Sequence, residues 1–144
     1  MQNDNFDDLR LENQLCFPLY ACARKVVGLY TPFFKSLGIT YTQYIALLVL
    51  WEKDGITVGE LGQKLYLDNG TLTPLLKKME NEGYLMRTRS KQDERVVTIT
   101  LTQKGYELRE AAKEIPQKVG SCLGLSPSNA KELYQLLYKV LETI

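Results

Sequence analysis

Apolar residues recur every three or four positions from residue 8 to 36, with Leu11, Leu15, Leu19, Ala23, Val26, Val27 and Tyr30 in the series. That spacing predicts an amphipathic helix. Pro18 and Pro32 interrupt it, and each should start or kink a helix; Gly38 closes the segment. Thr42 then caps a second helix through Tyr44, Leu47, Leu48 and Trp51, which Asp54-Gly55 ends. Thr57-Val58-Gly59-Glu60 reads as a capping box opening a short third helix to about Leu65. Asp68 is a good N-cap for a helix over 69 to 82, stopped by Asn81-Glu82-Gly83. Pro74 lies inside it and is tolerable only near the first turn. The period then changes to two. Tyr84 to Arg89 and Val96 to Leu101 predict two strands, the second alternating Val97, Ile99, Leu101 against Val96, Thr98, Thr100. The six polar residues between them form a hairpin tip. Thr102 caps a helix from about Gln103 to near residue 120. Ser126-Pro127 opens a last amphipathic helix with Leu133, Leu136, Leu137, Val140 and Leu141 on its apolar face.

No internal repeat or low-complexity linker breaks this order, and 144 residues suit one domain of ordinary size. The fold class is mainly α with a β-wing (α+β): a helix-turn-helix followed by a hairpin, a winged helix-turn-helix over about 42–101. The helices over about 8–36 and 103–144 carry apolar stripes too broad for a small winged core to cover. A dimerisation region built from both ends of the chain explains them economically; an ordinary intrachain bundle is the alternative.

Bulk composition does not advertise a partner. Apolar residues make up 44% and charged residues 24%, with a net charge of +1, so nucleic-acid binding would need a local patch. The chain opens Met-Gln-Asn-Asp-Asn-Phe-Asp-Asp, without a signal peptide, and no apolar run approaches the ~18 residues a membrane span needs. A cytoplasmic protein with no membrane partner is expected. Histidine is absent, which removes the commonest metal ligand and acid/base group. Cys16, Cys22 and Cys122 are too scattered for a zinc site and too few for a disulfide scaffold. Neither a metal, a cofactor nor hydrolase catalysis is expected.

Residues 68 to 95 hold the local patch. An α-helix fits the major groove of B-DNA and meets base edges with its N-terminal side chains. Here the helix from Asn69 offers Gly70, Thr71 and Thr73, short residues that allow close approach, with hydroxyls for phosphates or bases. Lys77 and Lys78 follow, placed to reach the backbone. The hairpin adds Arg87, Arg89, Lys91 and Arg95 within nine residues. Asp93 and Glu94 can hold Arg95 in a fixed pose, and an arginine at a β-tip suits a narrow minor groove. Taken singly these charges read as solvated faces; taken with the topology they point to double-stranded DNA.

The run Leu65-Tyr66-Leu67-Asp68-Asn69-Gly70-Thr71-Leu72-Thr73-Pro74-Leu75-Leu76-Lys77-Lys78, with Asp93-Glu94-Arg95, resembles the MarR family of winged-helix regulators. Glu12-Asn13-Gln14-Leu15-Cys16-Phe17-Pro18-Leu19-Tyr20 and Thr40-Tyr41-Thr42-Gln43-Tyr44 narrow the resemblance to its organic-hydroperoxide-sensing branch. It covers nearly the whole chain. It implies a homodimeric repressor that binds a palindromic operator and leaves it when an organic hydroperoxide, the inducer, oxidises Cys16. It further implies that Tyr30 and Tyr41 hydrogen-bond the Cys16 sulfur from the partner subunit, that Tyr20 lines the pocket, and that Arg95, supported by Asp93, enters the minor groove. Cys122 falls where some members of the branch carry a resolving cysteine.

The residues tolerate these roles. Cys16 and Tyr20 are four apart and share a helix face, and Tyr30 is about 40° away round an ideal helix. A thiolate is the attacking species, and phenol donors or a helix N-terminus favour that form; its oxidation gives a sulfenic acid that condenses with a second thiol. Without the resemblance, Cys16 reads as a buried small apolar residue. Cys22 lies about 240° round the helix from Cys16 and reads as packing. Two other functions stand beside the sensor: a repressor released by a small aromatic ligand, and a thiol peroxidase with no use for the basic wing.

Overall fold

A computed structural model of the chain describes residues 6–144. The start of the acidic N-terminal stretch, residues 1–5, lies outside the described residues. Two short 3-10 turns, Phe6–Leu9 and Leu11–Asn13, precede the first helix, α1, Cys16–Leu37. The helix expected from residue 8 thus begins at Cys16, where Pro18 falls as its third residue and its missing N–H has no intrahelical partner to lose. Pro32 lies inside α1 without ending it. Gly38, in the left-handed region at φ 70°, closes the helix.

The second helix, α2, spans Tyr41–Glu52, and its cap is Thr40 rather than the expected Thr42. The Gln43 N–H donates to Thr40 Oγ1 at 3.3 Å, and Gln43 Oε1 accepts from the Thr40 N–H at 2.9 Å. A capping box needs Gln or Glu three residues after the cap. Thr40 has Gln43 there, whereas Thr42 has Ile45, which cannot reach back.

A two-residue strand, β1 at Ile56–Thr57, leads into α3, Val58–Leu65. The predicted box is present: the Glu60 N–H donates to Thr57 Oγ1 at 3.1 Å, and the Thr57 N–H to Glu60 Oε2 at 2.8 Å. The turn that follows is tight. A Cβ on Gly62 would sit 2.7 Å from the Leu67 carbonyl oxygen and 3.0 Å from Leu72 Cδ1, so only glycine lets the two helices of the turn approach this closely. Asp68 caps α4, Asn69–Asn81, accepting the Thr71 N–H at 2.8 Å. Pro74 is the sixth residue of α4, one turn deeper than the first-turn placement expected. It removes the donor that would have reached the Gly70 carbonyl, a group left at an exposed position where water can satisfy it.

Strands β2, Leu85–Arg89, and β3, Val97–Leu101, form the hairpin with Arg87 opposite Ile99. The antiparallel sheet has the order β1-β3-β2, Ile56 pairing with Ile99. The helix expected from 103 to 120 is two helices, α5 at Gln103–Ala112 and α6 at Ile115–Ser121. Pro116 is the cause: within a continuous helix its ring would collide with the Ala112 carbonyl, and it suits the opening of a new helix instead. The last helix, α7, is Pro127–Thr143, capped by Ser126.

The chain forms two compact units, one ending at Lys113 and one spanning Glu114–Ile144. In the first, Leu47 and Leu50 of α2, Leu61 of α3, Leu72, Leu76 and Met79 of α4, Leu85 of β2 and Ile99 of β3 are fully buried. One apolar core therefore holds the helix-turn-helix and the wing together. In the second, α7 buries none of its residues, and Leu133, Leu136, Leu137, Val140 and Leu141 all stay exposed. No single helix among the described residues is long and apolar enough to cross a membrane.

Candidate nucleic-acid interface and thiol site

Helix α4 presents Asn69, Gly70, Thr71, Thr73, Lys77 and Lys78 to solvent, while Leu72, Leu76 and Met79 anchor its opposite face. The predicted DNA-reading positions of this helix thus lie on one free surface. Between α4, the start of α3 and the wing lies a cleft of about 360 Å³ lined in part by Asn69, Thr73, Arg87, Arg89 and Arg95. Hydroxyl, carboxamide and guanidinium groups converging on one concave surface suit a phosphate backbone.

The four basic residues of the wing are not equivalent. Arg87 is half-buried and engaged: its Nε and Nη2 donate to Glu80 Oε2 at 3.1 and 2.9 Å, and its backbone N–H donates to Glu80 Oε1 at 3.0 Å. These bonds, the backbone one first, hold the Glu80 carboxyl below its ordinary range. Glu80 is on α4 and Arg87 on β2, so the pair locks the wing to the helix rather than offering a free cation. Glu80 gave no signal in the sequence, because its partner lies seven residues away across a turn.

At the tip, the Arg95 side chain is 90% exposed yet held. Its Nε and Nη2 donate to the two oxygens of Asp93 at 3.1 and 3.2 Å, and its N–H donates to Asp93 Oδ1 at 3.0 Å. Arg95 in turn keeps the Asp93 carboxyl below its usual range, mainly through the side-chain bond. Glu94 contributes only its backbone carbonyl, which accepts from Arg89 Nη1 at 2.6 Å. Asp93 alone therefore orients Arg95, where Asp93 and Glu94 together were expected to. Lys91 is exposed.

Cys16 is exposed as the first residue of α1, not buried as a small apolar residue. Its backbone N–H is one of the unpaired donors at the positive end of the helix. Tyr30 lies fourteen residues further along α1, about 21 Å at 1.5 Å per residue, so the shared face does not bring these two groups of one chain together. Tyr30 instead packs with Tyr41 at a ring separation of 5.0 Å, and with Phe34 and Tyr44 at 5.2 and 5.7 Å. Burial first, then the neighbouring Tyr41, raises the Tyr30 phenol above its ordinary value. Burial pushes Tyr44 up to about 12, with Tyr30 and Tyr41 adding to it. Both stay protonated at neutral pH and remain hydrogen-bond donors. Phe34 and Tyr44 complete this cluster, and only tertiary packing reveals them. Tyr20 is exposed, with the Arg24 guanidinium 5.4 Å from its ring centre. Helix α6 holds through Gly120, and Cys122 follows it, exposed, with Sγ 3.3 Å from the Lys118 carbonyl. Cys22 is exposed rather than packed within the chain.

A capped helix-turn-helix with an arginine-tipped, helix-locked wing defines a winged-helix transcriptional regulator. The profile of the family Transcriptional regulator SarA/Rot matches residues 28–112. The organic hydroperoxide resistance transcriptional regulator of Bacillus subtilis is 51% identical, the match covering 100% of this chain and 97% of that protein. Among solved structures, reduced AbfR bound to DNA is 38% identical with a TM-score of 0.79, covering 94% of each chain. Disulfide-formed AbfR is also 38% identical, with a TM-score of 0.67, covering 98% of this chain and 99% of that one. The chain belongs to the MarR family of winged-helix regulators, in the organic hydroperoxide resistance branch. It is a regulator, not an enzyme.

Proposed function

We propose that this chain is a cytoplasmic, homodimeric repressor that binds a palindromic operator while Cys16 is reduced and leaves it when an organic hydroperoxide oxidises that residue. The observation that carries the reading is the exposed Cys16 at the N-terminus of α1, in a chain that also presents a complete wing and recognition helix. The helices over about 8–36 and 103–144 form the dimerisation region, and about 42–101 reads DNA. The exposed apolar residues of α7, and Leu15 and Leu19 near the start of the chain, support this division. Tyr30 lies about 21 Å along α1 from Cys16 of its own chain, with Tyr41 packed beside it, which supports a second chain bringing the thiol to the phenol cluster.

The thiolate attacks the terminal peroxide oxygen. The O–O bond breaks, the organic fragment leaves as alkoxide and takes up a proton to become the alcohol, and sulfur is oxidised to sulfenate. The thiol of Cys122 then attacks the sulfenic sulfur, forming a disulfide and releasing water. The sulfur of the disulfide, now uncharged, no longer accepts the two phenol hydrogen bonds as the thiolate did. Helix α1 shifts, and the two recognition helices lose the one-turn spacing that a dimer needs on its half-sites.

Reduced protein should retard an operator fragment, and organic hydroperoxide should abolish the shift; a shift indifferent to peroxide sinks the reading. On the DNA side, Arg95→Ala should weaken operator binding by about ten- to a hundredfold and reduce the slope of affinity against salt by about one phosphate contact. Fluorescence anisotropy at several salt concentrations measures both, and unchanged affinity removes Arg95 from the interface. On the redox side, oxidised wild type should run at dimer mass on a non-reducing denaturing gel, while Cys122→Ser runs as monomer. A monomeric band for oxidised wild type excludes the intersubunit bridge.

A further inference from the structure

Gln43 is the one buried polar side chain among the described residues, 1% exposed. Both ends of its carboxamide are committed. Its Oε1 accepts the Thr40 N–H at 2.9 Å, closing the cap of α2, and its Nε2 donates to Glu82 Oε2 at 2.7 Å. Glu82 is the C-cap of α4, the recognition helix. A single side chain thus ties the first turn of α2 to the last turn of α4.

The two ends of α2 are fixed differently. At its C-terminal end, Trp51 Nε1 donates to the Gly105 carbonyl at 3.0 Å, and Asp54 just beyond accepts the Leu101 N–H at 2.9 Å. Those bonds anchor it to β3 and the start of α5. At its N-terminal end, Tyr41 and Tyr44 flank Gln43 in sequence and pack in the cluster with Tyr30 and Phe34. A change at Tyr41 therefore displaces the end that is not anchored to the sheet. Gln43 sits where that end meets α4.

We propose that Gln43 is the positioning residue that carries the state of the tyrosine cluster to the recognition helix through Glu82. This rests on the assignment of Cys16 and Tyr41 above and adds the route out of it. When the phenols lose their thiolate, the first turn of α2 moves, Gln43 moves with its cap, and the Glu82 end of α4 follows. The same turn of α4 is braced from the other side, since Lys104 Nζ donates to the Glu82 carbonyl at 2.7 Å and Thr102 Oγ1 to that of Gly83 at 2.6 Å. Motion delivered at Glu82 is thereby converted into a tilt of α4 rather than a loose end.

The polarity of the bond supplies a test that separates transmission from packing. Gln43→Glu keeps the capping box, because Glu serves as well as Gln at that position, but sets two carboxylates against each other. Gln43→Glu with Glu82→Gln restores the bond with donor and acceptor exchanged. Operator affinity is measured by anisotropy before and after organic hydroperoxide, with the extent of Cys16 modification read by intact mass. The single variant should be oxidised as fully as wild type, yet the factor by which oxidation weakens binding should fall at least about fivefold, the lower end of ordinary allosteric couplings. The exchanged pair should recover it. An unchanged factor in the fully oxidised single variant overturns the relay, and so does a loss that the exchanged pair fails to restore. If Gln43→Glu does not fold, Gln43→Met, which adds no second carboxylate, is judged by the same factor. Wild type that releases DNA with Cys16 unmodified defeats the sensor assignment instead, a result distinct from failure of the relay.

Discussion

Replacing Cys16 with serine should abolish release from the operator by organic hydroperoxide, so that the affinity of the variant is the same before and after treatment. The reason is chemical: a hydroxyl at this position does not attack a peroxide oxygen under conditions where a thiolate does. Magnitudes make the thiol a sufficient trigger. Moving a two-state population from 1:99 to 99:1 requires ~5.5 kcal/mol of differential stabilisation. A hydrogen bond to a charged group contributes ~1.5–3 kcal/mol, so the two phenol donors per thiolate proposed above, with two thiolates per dimer, would together exceed the requirement. One oxidised subunit reaches it only at the upper end of that range, so full release should need both thiols oxidised. Anisotropy of Cys16→Ser titrated with organic hydroperoxide checks the first point; a variant that still leaves the operator would move the sensor elsewhere in the chain.

The raised phenol of Tyr30, one of the two donors proposed above, fits this role. A donor that titrated near neutrality would make release depend on pH as well as on peroxide. Held protonated by burial and by the neighbouring Tyr41, it leaves the oxidation state of sulfur as the variable.

Much of this was legible locally. Thr57 with Glu60, Asp68, Thr102 and Ser126 all cap the helices they were expected to cap, because capping involves residues two or three apart and leaves its mark in a four-residue window. The Thr40–Gln43 box is just as local, but a second threonine two residues on offers a competing cap. The break at Lys113-Glu114 is also local and readable: Pro116 forbids a continuous helix. What stayed illegible is what sequence distance hides. Strand β1 exists because Ile56 and Thr57 find β3 more than forty residues later. The Glu80–Arg87 lock and the Gln43–Glu82 bond join elements that no periodicity relates. The DNA-facing residues were readable as a set, but only the structure separates the engaged Arg87 from the exposed Arg95.

The largest effect on stability should come from a glycine far from both sites. A Cβ built on Gly105 would lie 2.1 Å from the Tyr84 carbonyl oxygen and 3.1 Å from both the Tyr84 carbonyl carbon and Leu101 Cδ2. A flexible side chain could yield; the backbone just before β2 cannot without opening the hydrogen bonds that converge there. The Tyr84 carbonyl accepts the Thr102 N–H at 3.1 Å, Thr102 Oγ1 accepts the Gly105 N–H at 3.1 Å, and Trp51 is bonded to the Gly105 carbonyl. Overpacking a tight site costs ~1–3 kcal/mol and occasionally more, and Gly105→Ala should fall at or above ~3 kcal/mol because backbone must move. Gly120→Ala is the control. It is also a helical glycine, but a Cβ there meets nothing of its own chain within 4 Å, so within the chain the change should stabilise by ~0.5–1 kcal/mol through helix propensity. Urea midpoints at one fixed protein concentration, needed because a dimer's stability depends on it, compare the two. Equal and small effects would mean that α5 does not press on the Tyr84 carbonyl as described. Since Thr102 and Lys104 at the head of α5 also hold the carbonyls of Gly83 and Glu82, Gly105→Ala should weaken operator binding even at temperatures where the protein remains folded. The end of the recognition helix is only as fixed as the helix that braces it.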